Sequence, residues 1–298
     1  MFKHLLFALS LILVFFGCSE TKTGPEEKKE KEVYTVNYPL YYFTKRMAPE
    51  GVEVFFPVPK DTDPAFWVPN TQETLAFVNA DLIILNGADY AKWTQKVSLP
   101  TSKLVNSSKA FEKELLHIES SNHSHGPKGE HSHAGTAFTT WLDMQQAIKQ
   151  AEAIKNALVH LDPTHKDQIE QSYLQLKQEL EALDKGFKNA FSNLQRPIVA
   201  SHPVYQYFAR AYGLNLKALL WEPEMKIDEK AKAEINALLA VHPAEVMIWE
   251  GKPTTGNLEY LQSLGLKNIV IEPCMNRPEH GDFMTQMQEN LKIFKKEK

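Results

Sequence analysis

"HKDQIEQSYLQLKQELEALDKGFKNAFSNL", residues 165–194, decides the fold. Its apolar residues fall at Ile169, Tyr173, Leu176, Leu180, Leu183, Phe187, Ala190 and Leu194, at alternating spacings of four and three. That is one helix face held for about eight turns, roughly 45 Å at 1.5 Å per residue. Asp162-Pro163-Thr164 supplies a start and Arg196-Pro197 a stop. A coiled-coil seam between two chains is the alternative, but one interrupted helix of this length is short for it. The spacing predicts a rod over 163–195 that packs along two flanking lobes and limits how far they hinge.

On either side, brief apolar runs alternate with helical stretches. "VEVFFPV" (52–58) leads into the turn-rich "PKDTDP", and "DLIILNG" (81–87) closes on Asn-Gly. After the rod come "PIVASHP" (197–203), "LKALLWEPE" (216–224), "AEVMIWEGKP" (244–253) and "KNIVIEPC" (267–274), with helices expected over 203–212 and 228–240. The pattern predicts an α/β protein of two lobes, 33–162 and 196–298. Each has a mainly parallel sheet covered by helices, and the one long rigid helix joins them.

At 298 residues the chain has room for two modest domains, and 43% apolar with 23% charged residues is ordinary for a soluble one. A net charge of −4 gives no electrostatic case for nucleic acid. The apolar run Leu5–Phe16, broken only by Ser10, is shorter than the roughly 20 residues a bilayer span needs. It fits residues 1–18 as a secretory signal, and its end at Gly17-Cys18 fits a bacterial lipoprotein, with lipid on Cys18. A plain signal with an incidental cysteine is the alternative. "SETKTGPEEKKEKE" (19–32) cannot bury enough surface to order itself and is expected as a flexible tether. The expected protein is exported and anchored by its lipid to a bacterial membrane, facing the periplasm or the cell exterior. Cys274 is the only other cysteine, so no intramolecular disulfide is expected.

In open parallel sheets, ligands bind beyond the carboxyl ends of the strands. Those ends carry His202, Glu222, Glu250 and Glu272 in the second half, and Asp61, Asp63, Trp67 and Asp89 in the first. Imidazole and carboxylate groups converging on an interlobe cleft suit zinc or manganese. A histidine before proline serves equally well in a structural hydrogen bond, and tryptophan more often packs a core than walls a cleft. "HSHGPKGEHSH" (123–133), within a histidine-rich loop over 117–135, adds His123, His125, His131 and His133 as paired donors on a flexible segment. Such a site chelates loosely and selects poorly, and an inert surface loop is its plain alternative.

"DPAFWVP" (63–69), "ADLIILNGADYAKW" (80–93), "TTWLD" (139–143), "SHPVYQYFARAYGL" (201–214) and "IEP" (271–273) together resemble the zinc/manganese-type solute-binding proteins of ABC importers. The resemblance covers roughly residues 33–296. It implies a metal held by a histidine in the first motif, one just before Trp-Leu, one in "SHP" and a carboxylate in the last. His202 and Glu272 match the latter two, while Ala65 and Thr139 stand at the other two positions. Neither alanine nor a neutral threonine hydroxyl is a good zinc ligand. Thr139 lies six positions beyond His133, up to about 20 Å of extended chain, so the loop could bring an imidazole there. Asp63, Trp67, Thr139, Glu222 and Glu250 are the expected cleft lining.

The resemblance implies a non-enzymatic, monomeric receptor that captures a divalent transition metal, zinc first and manganese or copper next. It would deliver the metal to an ABC permease and its ATPase. A surface adhesin or metal buffer with a vestigial cleft is one alternative. Another is a metallohydrolase using Glu222 or Glu250 as base on metal-bound water. No phosphate loop, nucleophile elbow or Cys-pair zinc motif occurs.

Overall fold

The computed structural model describes residues 30–118, 122–124, 130–132, 135–192 and 196–296. β1 (Lys31–Thr35) begins inside the segment expected as tether, with Lys31 and Glu32 in register with Val52 and Glu53. Backbone pairing there outweighs the charged side chains, which stay at the sheet surface. α1 (Tyr38–Met47) follows, capped by the Asn37 side chain, which accepts from Leu40 N–H. Next come β2 (Val52–Phe55), α2 (Thr71–Asn79) with an Asn70–Glu73 capping box, β3 (Leu82–Leu85) and β4 (Leu104–Asn106). The four strands form a parallel sheet in the order β2-β1-β3-β4.

The histidine-rich stretch holds paired strands where a loop was expected. β5 (His117–Ile118), β6 (Asn122–Ser124), β7 (Glu130–Ser132) and β8 (Gly135–Thr136) make two nested antiparallel pairs, β5–β8 and β6–β7. His123 and His131 are register partners in the inner pair. His125, His133, Cys18 and Leu194 lie outside the described residues.

Asp143 caps α3 (Met144–Leu161), and a short turn leads into α4 (Lys166–Phe191). α4 has 26 residues, about 39 Å. Ile169, Tyr173, Leu176, Leu180, Leu183, Phe187 and Ala190 are all buried, as the period required. The rod packs on α1 and α3 on the N-lobe side. The C lobe then runs β9 (Ile198–Ala200), α5 (Gln206–Tyr212), β10 (Leu216–Ala218), α6 (Glu229–Val241), β11 (Val246–Trp249), α7 (Thr255–Ser263), β12 (Lys267–Val270) and α8 (Phe283–Lys296). α5 and α8 complete the contacts of α4. The second sheet is also parallel, ordered β10-β9-β11-β12.

Both sheets therefore have the order 2-1-3-4, with a switch point between their first and third strands. Crossovers leave that point on opposite faces, and a crevice opens beyond the strand ends. One apolar core runs from the N sheet through the rod to Phe208 and Phe294, and a second cluster around Trp221 and Trp249 backs the C sheet. Trp67 belongs to the first core rather than to the cleft wall. It packs edge-on to Trp93 at 6.0 Å and tilted against Phe77, neighbours that cover its large apolar ring. Among the described residues no helix is long and apolar enough to cross a membrane.

Candidate metal centre

At the C-lobe switch point, Ala200 of β9 pairs with Ile248 of β11. His202 and Glu250 each lie two residues further on, so the ladder delivers them level and side by side. Glu222 reaches them from the other flank. Leu219 N–H donates to Ala200 O, and Trp221 N–H to Ser201 O, extending the β10–β9 pairing until Glu222 stands beside His202. His202 Nδ1 is 3.7 Å from Glu222 Oε1 and 3.9 Å from Glu250 Oε1. One ligand atom from each of the three lies within 4.8 Å of the others. Donors on a tetrahedral zinc with bonds near 2.1 Å sit about 3.4 Å apart, so the two His202 distances are a few tenths of an ångström too long and the widest pair needs to close by up to about 1.4 Å to share an ion.

The electrostatics of the cluster point the same way. The His202 and Glu250 side chains are 9% and 12% exposed, and Glu222 is open to the cleft. Burial, then repulsion from Glu222, Asp63 and Glu224, pushes the Glu250 carboxyl well above its ordinary value. Glu222 is also raised, by burial and then by Glu224 and Asp63. One imidazole set among carboxylates has too little positive charge to balance them. A divalent cation would supply it, and the residues present fit one.

The cluster forms the floor of a cleft of about 1470 Å³ between the lobes. Asp61, Asp63, Asp89 and Thr139 face it from the N lobe, and Glu272 from the C lobe. Glu272 follows β12, two strands away from β9, and stands outside the close trio. Its carboxyl is raised by burial and by Glu279. Ala65 is buried, and its N–H donates to Asp63 Oδ1 at 2.8 Å. Thr139 is buried too, its hydroxyl donating across the lobes to Val204 O at 2.5 Å. The two positions without histidine thus hold a buried methyl and a committed hydroxyl. Asp89 accepts from Thr136 Oγ1 at 2.9 Å, beside the base of the β5–β8 pair, which lines the cleft mouth.

Sequence reasoning missed the segment after β12. The Asn276 side-chain amide donates to Pro59 O, Lys60 O and Thr62 O at 2.7, 3.0 and 2.7 Å. The Arg277 guanidinium donates to Val58 O and Phe56 O and lies over the Phe56 ring at 4.6 Å. A C-lobe turn thereby clasps the N-lobe loop that carries Asp61 and Asp63. An Asn-Arg-Pro turn is the only local signal, and it says nothing of partners more than 200 residues away.

Residues 33–297 match the family described as "Zinc-uptake complex component A periplasmic". The zinc-binding lipoprotein AdcA of Streptococcus pneumoniae is 26% identical over 305 residues, covering 98% of this chain and 60% of that protein. The chain thus spans about 60% of the length of that relative. The manganese ABC transporter substrate-binding lipoprotein PsaA, also of Streptococcus pneumoniae, is 27% identical over 78% of this chain and 74% of its own. The solved structure of the metal-dependent lipoprotein YcdH from Bacillus subtilis superposes with a TM-score of 0.76 at 21% identity, covering 89% of this chain and 98% of that one. The two-lobed fold is shared.

Proposed function

We infer function from one premise: the chain belongs to the family of periplasmic zinc-uptake complex component A proteins. It is the extracytoplasmic solute-binding component of a metal ABC importer. It captures a divalent transition metal in the interlobe cleft, zinc before manganese or copper, and passes it to a permease driven by its ATPase. The observation that carries this is a buried imidazole facing carboxylates on the cleft floor, His202 with Glu222 and Glu250. The protein acts as a monomer, as a receptor and not an enzyme, tethered through lipid on Cys18. The paired histidines at 123, 125, 131 and 133 serve as a metal collector. Donation to the cleft itself is disfavoured by the committed hydroxyl of Thr139.

Metal analysis and calorimetric titration of the full chain in detergent test this reading. One tight zinc per chain is expected, together with poor growth of a deletion strain in zinc-depleted medium. A chain that takes up no divalent metal, in a strain indifferent to zinc depletion, would overturn it. Cys18→Ser should release the protein from membranes; a variant that still partitions into detergent at wild-type mass would remove the anchor.

A further inference from the structure

We propose that the cation sits on His202, Glu222 and Glu250 of the C lobe and is closed from the N lobe by Asp63. The site is thus moved away from the positions of Ala65, Thr139 and Glu272. This rests on the metal-receptor reading and specifies its ligands. Three observations support it. Sheet order is the first: β10, β9 and β11 are adjacent strands, so their ends bring Glu222, His202 and Glu250 within 4.8 Å, whereas Glu272 rides on β12 one strand beyond. The second is the state of Glu250. Its carboxylate is 12% exposed and accepts no hydrogen bond among the described residues; it faces the His202 ring at 3.9 Å and has the Glu222 carboxylate within 4.8 Å. A carboxylate in that condition takes up a proton or a cation, and a divalent metal displaces the proton. The third is on the opposite wall, where Ala65 and Thr139 are buried and the titratable side chain of the first motif is Asp63, which lines the cleft from the loop that Asn276 clasps.

The donor set differs in kind from a histidine-rich one. One nitrogen and three carboxylates form a harder site, which narrows the preference for zinc over manganese. Three of the four donors come from one lobe, so the C lobe can hold the ion before the cleft closes. Asp63 then acts as the closing donor. Its carboxylate, held by the first motif, replaces what a histidine at 65 would have supplied.

Zinc K-edge X-ray absorption on the full chain, loaded below one zinc per chain so that only the tight site fills, counts imidazoles without any variant. One imidazole is expected, and two or more would overturn the assignment. Titrations with zinc and manganese then compare the wild type with His202→Ala, Glu222→Gln, Glu250→Gln, Asp63→Asn and Glu272→Gln, with metal-free melting curves to certify folding. Glu222→Gln and Glu250→Gln should each weaken both metals by at least about tenfold. His202→Ala should cost zinc more than manganese, because it removes the only nitrogen. Loss confined to His202→Ala and Glu272→Gln, with Glu222→Gln and Glu250→Gln within about threefold of wild type, would overturn the ligand assignment while leaving the metal receptor intact. A wild type that binds neither metal would instead sink the receptor reading, and this inference with it.

Discussion

The two lobes share one strand order, and the pair of residues just beyond their equivalent central strands sets them apart. In the N lobe, Thr35 pairs with Ile84, and two residues beyond stand Asn37 and Asn86. In the C lobe, Ala200 pairs with Ile248, and two residues beyond stand His202 and Glu250. Asn37 Nδ2 donates to Asn86 Oδ1 at 3.1 Å, Gln150 Nε2 donates to Asn86 Oδ1 and Ser107 Oγ, and Asn86 Nδ2 donates to Phe138 O. All four polar side chains are fully buried. Amides carry donors and acceptors together, so they can satisfy one another and seal the crevice. Ionised carboxylates only accept, and a neutral imidazole has one N–H and can donate to only one of them. The same topology therefore gives a structural knot in one lobe and a hungry site in the other.

Making the C lobe resemble the N lobe gives the largest expected effect. His202→Asn leaves an amide that is a weak ligand, and zinc affinity should fall at least about 100-fold, near 2.7 kcal/mol. Calorimetry checks it. Affinity within about tenfold of wild type would mean that His202 is only a structural neighbour.

The reciprocal change breaks the N-lobe knot. Asn86→Ala strips partners from Asn37, Gln150 and Phe138 O in a dry crevice, and should cost about 2 kcal/mol of stability with little change in intrinsic metal affinity. Denaturant unfolding and zinc titration of the same preparation separate the two quantities. Lost affinity in a folded variant would show that the N-lobe network also tunes the site. Gly87 next door is equally constrained: its φ is +75°, and a Cβ would lie 2.0 Å from Ser108 Oγ.

A smaller effect follows from charge. Glu250 binds its proton more tightly in the fold than in the unfolded chain. Stability contributed by that proton is present at pH below the ordinary carboxylate value of 4.5 and is lost as pH rises through the raised value. Metal-free wild type should therefore melt lower as pH climbs above that range. Glu250→Gln should escape this component and melt a few degrees higher at neutral pH, the scale of about 1 kcal/mol. Melting curves in chelator across the range test it; parallel curves for the two proteins would refute the idea that Glu250 is a strained charge.

Much of this was legible before any coordinates. The four-three spacing of α4 depends only on local geometry, and every described member of that face is buried. The four C-lobe strand ends were legible for the same reason, since short apolar runs closed by Glu or His-Pro mark them. Which of the four acidic and imidazole groups cluster was not, because it depends on the order β10-β9-β11-β12, a product of crossovers between distant segments. Trp67 misled because its neighbours Phe77 and Trp93 are set by tertiary packing, and β1 because Lys31 and Glu32 read as tether although their backbones are paired.

The clasp between the lobes sharpens the comparison last and least. Asn276 holds three carbonyls of the loop that carries Asp63, so an N-lobe carboxylate whose charge acts on Glu222 and Glu250 is positioned by a C-lobe side chain. Asn276→Ala leaves Asp63 in place chemically but frees its loop. The ion keeps its three C-lobe donors and loses only the ordering of the fourth. Zinc affinity should fall about threefold, near 0.7 kcal/mol, and dissociation should quicken by a similar factor. Asp63→Asn should remove the donor itself, and adding Asn276→Ala to it should then change little, because both act through one carboxylate. Stopped-flow chelator competition on the single and double variants measures the coupling. Strictly additive losses would show that the clasp sets lobe closure as a whole and does not work through Asp63.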